Sequence, residues 1–237
     1  MTSSLFIKSF LLKTTPLRVV GDVHGEKEAF SCALNTPHFV IQLGDLVDNG
    51  PNSAGVIELM LHTLQSDKGL FIAGNHERKL ARALEGKNVT IGPALQYTLD
   101  MLHSSTHRHL ITPFLKAIQE APAWFKIGSY FFVHGGFHPS MLVEDPPPIT
   151  GKMTPLLARA LFGKVMSEIK EDGYPKRSIS WVDHIPHGLT LYCGHDQRSE
   201  DGTPWTIQGN AGGIAVFLDT GAGKGGHLSW IDLPPNP

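Results

Sequence analysis

The chain has 237 residues, with 20 Lys and Arg against 22 Asp and Glu, for a net charge of −2. Hydrophobic residues make up 41% and charged residues 18%, the balance of an ordinary globular protein able to bury its own core. This composition carries no strong nucleic-acid signal, no membrane-length apolar run and, with only Cys32 and Cys193, no disulfide framework, so a reducing, cytoplasmic setting is the simplest expectation.

In chain order, the apolar segment "LFIKSFLL" (5–12) is short and broken by Lys8, with no small-residue cleavage site after it; it is not read as a signal peptide. "LRVV" (17–20) reads as a strand and "EKEAFSCAL" (26–34) as a helix. "HFVIQL" (38–43), "SAGVIELMLHTLQ" (53–65), "GLFIA" (69–73) and "ERKLARAL" (77–84) repeat the strand–helix alternation. That rhythm predicts a parallel sheet with crossover helices, and near-continuous apolar strands suit burial on both faces. Residues 92–120 read as helical with a His-rich break; His103, His107 and His109 there are expected to face solvent. From residue 123 short strands take over: "AWFKI", "YFFVHGG", "LTLYCGHD", "GIAVFLD" and "HLSWIDL". The Pro-rich stretch 144–154 reads as a surface loop, and no linker divides residues 1–237, which are expected to form one domain.

Five fragments share one design: "GDVHG" (21–25), "LGDLVDNG" (43–50), "AGNHE" (73–77), "VHGG" (133–136) and "CGHD" (193–196). Each ends an apolar stretch with a glycine beside His, Asp or Asn. In open α/β sheets ligands sit beyond the carboxyl ends of the strands, and glycine lets the chain turn there sharply. Strands lying side by side would bring Asp22, His24, Asp45, Asn75, His134 and His195 to one rim. Carboxylate, imidazole and carboxamide together suit divalent transition metals better than an all-oxygen Ca²⁺ cage or a closed structural Zn²⁺ site. Six ligands exceed what one open catalytic ion takes. They fit two ions sharing a carboxylate, at the roughly 3.5–4 Å spacing of two-metal hydrolases.

The motif series GD-x-HG, GD-x-VD-x-G, GNHE and two later histidines resembles the phosphoprotein-phosphatase branch of the calcineurin-like metallophosphoesterases, over about residues 17–230. "GNHERKLARALEGKNV", "DGYPKR", "WVDHIPHGLTLYCGHD" and "LDTGAGKGGHL" resemble small bacterial members, including the phosphatase domain of polynucleotide kinase-phosphatase and the diadenosine-tetraphosphate hydrolases. The resemblance implies an α/β fold of two mixed sheets packed as a sandwich and flanked by helices. It implies that Asp22 and His24 hold one metal, that Asp45 bridges, and that Asn75, His134 and His195 hold the second. The cofactor expected is a pair of divalent ions, Mn²⁺ first, with Fe, Zn²⁺ and Ni²⁺ accepted by the same donors. By the same resemblance His76 is the general acid and Asp48 its orienting carboxylate. The competing role for Asp48 is to cap the helix that begins near Ser53.

Where the family pattern has Arg, this chain has Asn49, which lacks a charged, bidentate fork for phosphate. Arg78, Arg82, Arg177 and Arg198 are candidate replacements, Arg198 first. Asp219 is a candidate support behind the ligands, and "GAGKGG" (221–226) is expected to be a tight turn between two strands. Cys193 reads as a small buried apolar residue. The leading expectation is a metal-dependent phosphatase acting on phosphomonoesters, of a phosphorylated protein or a nucleotide. The alternative is a phosphodiesterase or dinucleoside polyphosphate hydrolase, and a third reading is a catalytically dead metal-binding scaffold.

Overall fold

A computed structural model describes residues 12, 14–169, 173, 175–199 and 201–235. The apolar segment 5–12, apart from Leu12, lies outside them, as do Asp172 and Tyr174 of "DGYPKR". The first half follows the expected alternation: β1 (Leu17–Val20), α1 (Lys27–Leu34), β2 (Phe39–Gln42), α2 (Ser53–Gln65), β3 (Gly69–Phe71) and α3 (Asn75–Leu84). Two helices follow, α4 (Pro93–His103) and α5 (Ile111–Glu120), on either side of the His-rich break. The second half contains β4 (Trp124–Ile127), β5 (Tyr130–Val133), α6 (Pro155–Phe162), β6 (Lys164–Ile169), β7 (Pro175–Ser178), β8 (Thr190–Cys193), β9 (Trp205–Gln208), β10 (Ile214–Phe217) and β11 (Trp230–Leu233).

One sheet has the order β11-β1-β2-β3 and the other β4-β5-β8-β10-β9. In the first, β1, β2 and β3 run parallel and β11 pairs antiparallel with β1. In the second, β5, β8 and β10 run parallel between antiparallel edges. Both sheets are therefore mixed, and helices flank them. Side-chain period two decides what each strand face touches. Leu17, Val19 and Ile41 point into the seam between the sheets, where they join Ile127, Phe132, Tyr192 and Val216. The alternate residues Val20, Val40, Phe131, Val133, Leu191 and Phe217 join the apolar faces of the helices, including Phe30, Met60, Phe114 and Leu161.

Some elements depart from expectation. β3 stops at Phe71, and α3 begins at Asn75, so Asn75 and His76 are helix residues. Helix α6, strand β9 and the β6–β7 ribbon have no counterpart in the sequence reading. The ribbon pairs Lys164 with Ser178, and every residue of β6 is exposed. The glycine-rich turn at 221–226 does form, closed by the amides of Lys224 and Gly226 on the carbonyl of Gly221 (3.0 and 2.9 Å). It lies between two strands as expected, in the crossover from β10 in one sheet to β11 in the other.

Candidate metal centre

The parallel strands of both sheets deliver their following loops to one edge. Asp22 and His24 follow β1, Asp45 follows β2, and Asn75 follows β3. From the second sheet come His134 after β5, His195 after β8 and Asp219 after β10. The two sets interlock. The amide of His195 donates to both carboxylate oxygens of Asp22 (3.1 and 3.0 Å), and Nδ1 of His134 bonds the carbonyl of Leu43 (2.8 Å). Gly194 is required at that seam, because a Cβ there would fall 1.9 Å from Oδ1 of Asp22.

All six expected ligands come together. Two donor groups could each hold an ion: His24, Asp45 and His76, and Asp45, His134 and His195. Asp45 is common to both. Its Oδ2 lies 3.8 Å from Nε2 of His24 and 3.9 Å from Nε2 of His76, while Oδ1 lies 3.3 Å from Nε2 of His134. Asp22 reaches the first group at 4.0 Å from His24, and Asn75 the second at 3.1 Å from His134. His76 is thus one of the three donors of the first group, whereas the resemblance gives it the role of an acid and not of a ligand.

The His24 and His195 imidazoles have the form that a metal ligand needs. Nδ1 of His24 faces the carbonyl of Val47 at 3.0 Å, which fixes the proton there and leaves Nε2 as the lone-pair nitrogen. That Nε2, and Nε2 of His195, are buried with no hydrogen-bond partner among the described residues. Orphaned buried acceptors are rare unless something else completes them, and two facing a shared carboxylate fit metal ions. Burial holds His24 down to about 4 and His195 well below the usual histidine range, so both are neutral at pH 7. Burial also pulls His134 down, but Asp45 beside it outweighs that and raises it to about 9. Burial pushes Asp22 well above the carboxylate range, with Asp219 adding to it. Asp45 resists the same burial because His134 and His76 hold it well below its ordinary value. Cations would relieve this buried, mutually repelling set and displace the proton from His134.

His76 and Asp48 also meet. Nδ1 of His76 lies 2.6 Å from Oδ2 of Asp48. Burial lowers His76, but Asp45 and then Asp48 outweigh it and raise its pKa. Asp48 does not cap α2 with its side chain; Asn52 does, accepting from the amide of Gly55 at 2.8 Å. His24, Asp45, Asp48, Asn49 and His195 all have left-handed backbone, with φ between 45° and 70°. Such backbone is strained for residues other than glycine and persists where the surroundings over-determine it.

The candidate anion-binding residues separate. Asn49 sits at the site, its carboxamide 3.2 Å from Nδ1 of His24. Arg198 is engaged by Asp196 (2.9 and 2.6 Å) and by the carbonyl of Arg177. Buried Arg78 is turned to the carbonyls of Ile149 and Gly151, and Arg82 reaches the carbonyl of Asn88. The Arg177 side chain bonds the carbonyl of Phe162 from Nε at 3.3 Å and is close enough to His195 to add to the lowering that burial begins. Asp219 accepts from the amide of Gly221 at 3.0 Å.

Four supporting residues escape the sequence reading. Buried Glu77 accepts from the amides of Asp45, Leu46 and Gly74 (2.8, 2.8 and 2.9 Å) and so fixes the Asp45 loop. Gln42 bonds the carbonyl of Gly44 and accepts from its amide. Thr98 donates to Oδ1 of Asp48 at 2.6 Å, and Ser53 lies 3.2 Å from Thr98 and accepts from the amide of Asp48. A glutamine ending an otherwise apolar buried strand was a readable signal; Thr98, fifty positions from Asp48, gave none.

Known proteins share this architecture. A bis(5'-nucleosyl)-tetraphosphatase of Anoxybacillus flavithermus is 25% identical over 236 residues, covering 91% of this chain and 89% of that one. A second, from Halalkalibacterium halodurans, is 29% identical over 197 residues, covering 81% and 74%. Among solved structures, one provisionally assigned as a diadenosine tetraphosphatase superposes with a TM-score of 0.62 at 20% identity, covering 94% and 91%. A cold-active protein-tyrosine phosphatase from a Shewanella species superposes at 0.59 with 14% identity, covering 94% and 76%, a likeness of fold alone. Residues 15–210, which carry the shared-carboxylate site and most of both sheets, match the calcineurin-like phosphoesterases, and the chain belongs to that family of hydrolases.

Proposed function

We propose that the protein is a two-metal hydrolase of dinucleoside polyphosphates. What carries the metal chemistry is Asp45, shared by two donor groups with an unpartnered buried imidazole nitrogen in each. Asp22, His24 and Asp45 hold one ion, and Asp45, Asn75, His134 and His195 the other, with Mn²⁺ the first candidate. When bound, such ions acidify a water and neutralise phosphoryl oxygens. His76 carries the proton for the leaving oxygen on Nε2, because Asp48 occupies Nδ1. Thr98 and Ser53 keep the Asp48 carboxylate turned to that task. Asp219 acts behind Asp22 through its charge.

The sequence ranks phosphomonoesters first; position 49 and the relatives favour the other order. Asn49 leaves this part of the site without a fork for a terminal dianion, and the two tetraphosphatase relatives match 91% and 81% of the chain. Residues 1–237 act as one domain in this reading, since both sheets supply ligands to one site. The cysteines, one exposed and one buried, are free, which suits a cytoplasmic setting, and no helix among the described residues is long and apolar enough to cross a membrane.

A substrate panel tests this. Mn²⁺-loaded protein is offered dinucleoside tetraphosphates, mononucleotides, phosphopeptides and nitrophenyl phosphate. The expected result is chelator-sensitive hydrolysis with the highest kcat/KM on the tetraphosphate. A phosphopeptide in first place would restore the phosphomonoester reading; activity undiminished in excess chelator would sink the metal mechanism.

A further inference from the structure

The glycine-rich segment 221–226 has no role in the chemistry above, yet it packs against the loops that carry His24 and Asn49. A Cβ built on Gly223 would fall 2.7 Å from Cβ of His24, 2.8 Å from its carbonyl oxygen and 3.2 Å from the amide nitrogen of Gly50. The segment thus touches both the loop that presents His24 and the bend that carries Asn49. Its backbone alternates. Gly221, Gly223 and Gly225 have φ of 84°, 69° and 92°, while Ala222 and Lys224 between them are not left-handed. Alternation of this kind turns neighbouring amides toward one side and makes a concavity that favours an anion. The amides of Lys224 and Gly226 close the turn on Gly221, whereas those of Gly223 and Gly225 donate to no described residue.

Lys224 stands on this turn, exposed, and its ammonium has no ion-pair or hydrogen-bond partner among the described residues. It is the chain neighbour of Gly223, the residue packed against His24 and Gly50. The arginines nearby are less available. Arg198 is engaged by Asp196, Arg78 by two carbonyls, and Arg177 by the carbonyl of Phe162, whose ring meets that of His195. The adjoining bend offers only the neutral carboxamide of Asn49.

We propose that the 221–226 turn is a phosphate-binding element on the His24 side of the centre, with Lys224 gripping a phosphoryl oxygen of the substrate. A free ammonium beside unsatisfied backbone amides is the chemistry that receives such an oxygen. Arg177, bonded to the carbonyl of Phe162 whose ring meets that of His195, adds a cation near the second donor group. That arrangement suits a polyphosphate chain extending past the reacting phosphorus better than a lone monoester. The inference rests on the two-metal hydrolase reading and deepens its substrate class.

The test compares wild type with Lys224→Gln and Lys224→Arg, all loaded with Mn²⁺ and assayed for metal content. Binding of inorganic phosphate is measured by calorimetry, and KM and kcat on a dinucleoside tetraphosphate by steady-state kinetics. A charge-assisted contact is worth about ten- to hundredfold, so Lys224→Gln should weaken phosphate binding and raise KM by that much. Metal content should not change, and kcat should hold within about threefold. Lys224→Arg should recover most of the loss. The inference is overturned if Lys224→Gln binds phosphate like wild type, if the arginine variant fails equally, or if wild type binds no phosphate. Loss of chelator-sensitive turnover in wild type is a separate result, against the hydrolase reading itself.

Discussion

His76 has two neighbours that give its two nitrogens different work. Asp48 holds Nδ1 at 2.6 Å, and Nε2 points toward Asp45 at 3.9 Å. A ligand role would use Nε2 toward an ion; an acid role would use it toward the leaving oxygen. His76 stands with His24 and Asp45 in one donor group, so the distinction needs chemistry. As an acid, His76 should matter most where the leaving group is poor. His76→Ala should retain its metal and lose about 10²–10⁴-fold on an alkyl phosphate, with a much smaller loss on nitrophenyl phosphate. Parallel activity assays and elemental analysis read this directly. Metal loss in the variant would make His76 a ligand, and equal losses on both substrates would make it a positioning residue. Strain bears on the same residues. His24, Asp45 and His195 each hold left-handed backbone at a cost of about 1–3 kcal/mol, which the surrounding hydrogen bonds must offset.

At the scale of elements, the strand-then-glycine pattern was legible because buried parallel strands are apolar on both faces and end where the chain must turn. It picked out the strand-end residues that both sheets bring together and the helices between β1 and α3. The β6–β7 ribbon was not legible: Lys164–Ile169 is exposed throughout, so no buried face imprints a period on it. Nor was the work of Arg78, whose partners lie 71 and 73 residues away. The sequence offered it as an anion binder; the fold turns its guanidinium to the Pro-rich loop through the carbonyls of Ile149 and Gly151. Burial lowers the pKa of Arg78, and Arg82 adds to it, so its charge is not free of cost. Arg78→Met should therefore loosen residues 144–154, with a stability loss of about 2 kcal/mol from the unmade charged hydrogen bonds. Faster proteolysis within that loop and a lower melting temperature should accompany near-normal KM. A large rise in KM with the loop still protected would return Arg78 to the substrate.

Over the whole molecule, the centre lies on the seam between two sheets that otherwise meet through apolar contacts such as Ile41, Phe132 and Val216. Asp22 of the first sheet holds the amide of His195 from the second, and His134 of the second bonds Leu43 of the first. Ions held by Asp45 together with His134 and His195 would tie the same two layers. Removing them should weaken the entire fold and not one loop. Ligand linkage sets the size: an ion at one hundred times its Kd stabilises by about 2.7 kcal/mol if it binds only the folded chain. For a domain of this length each kcal/mol moves Tm by about 2–4 °C, so Mn²⁺ should raise Tm by roughly 5–10 °C over chelator-treated protein. The shift should depend on Asp45, the carboxylate common to both donor groups. Asp45→Asn should melt at one temperature with or without Mn²⁺, and elemental analysis should find it depleted of both ions. Asn75→Ala removes a donor from only one group and should leave part of the shift. A full Mn²⁺ response in Asp45→Asn would show that no shared carboxylate holds the pair, and the two donor groups would then have to be read as independent sites.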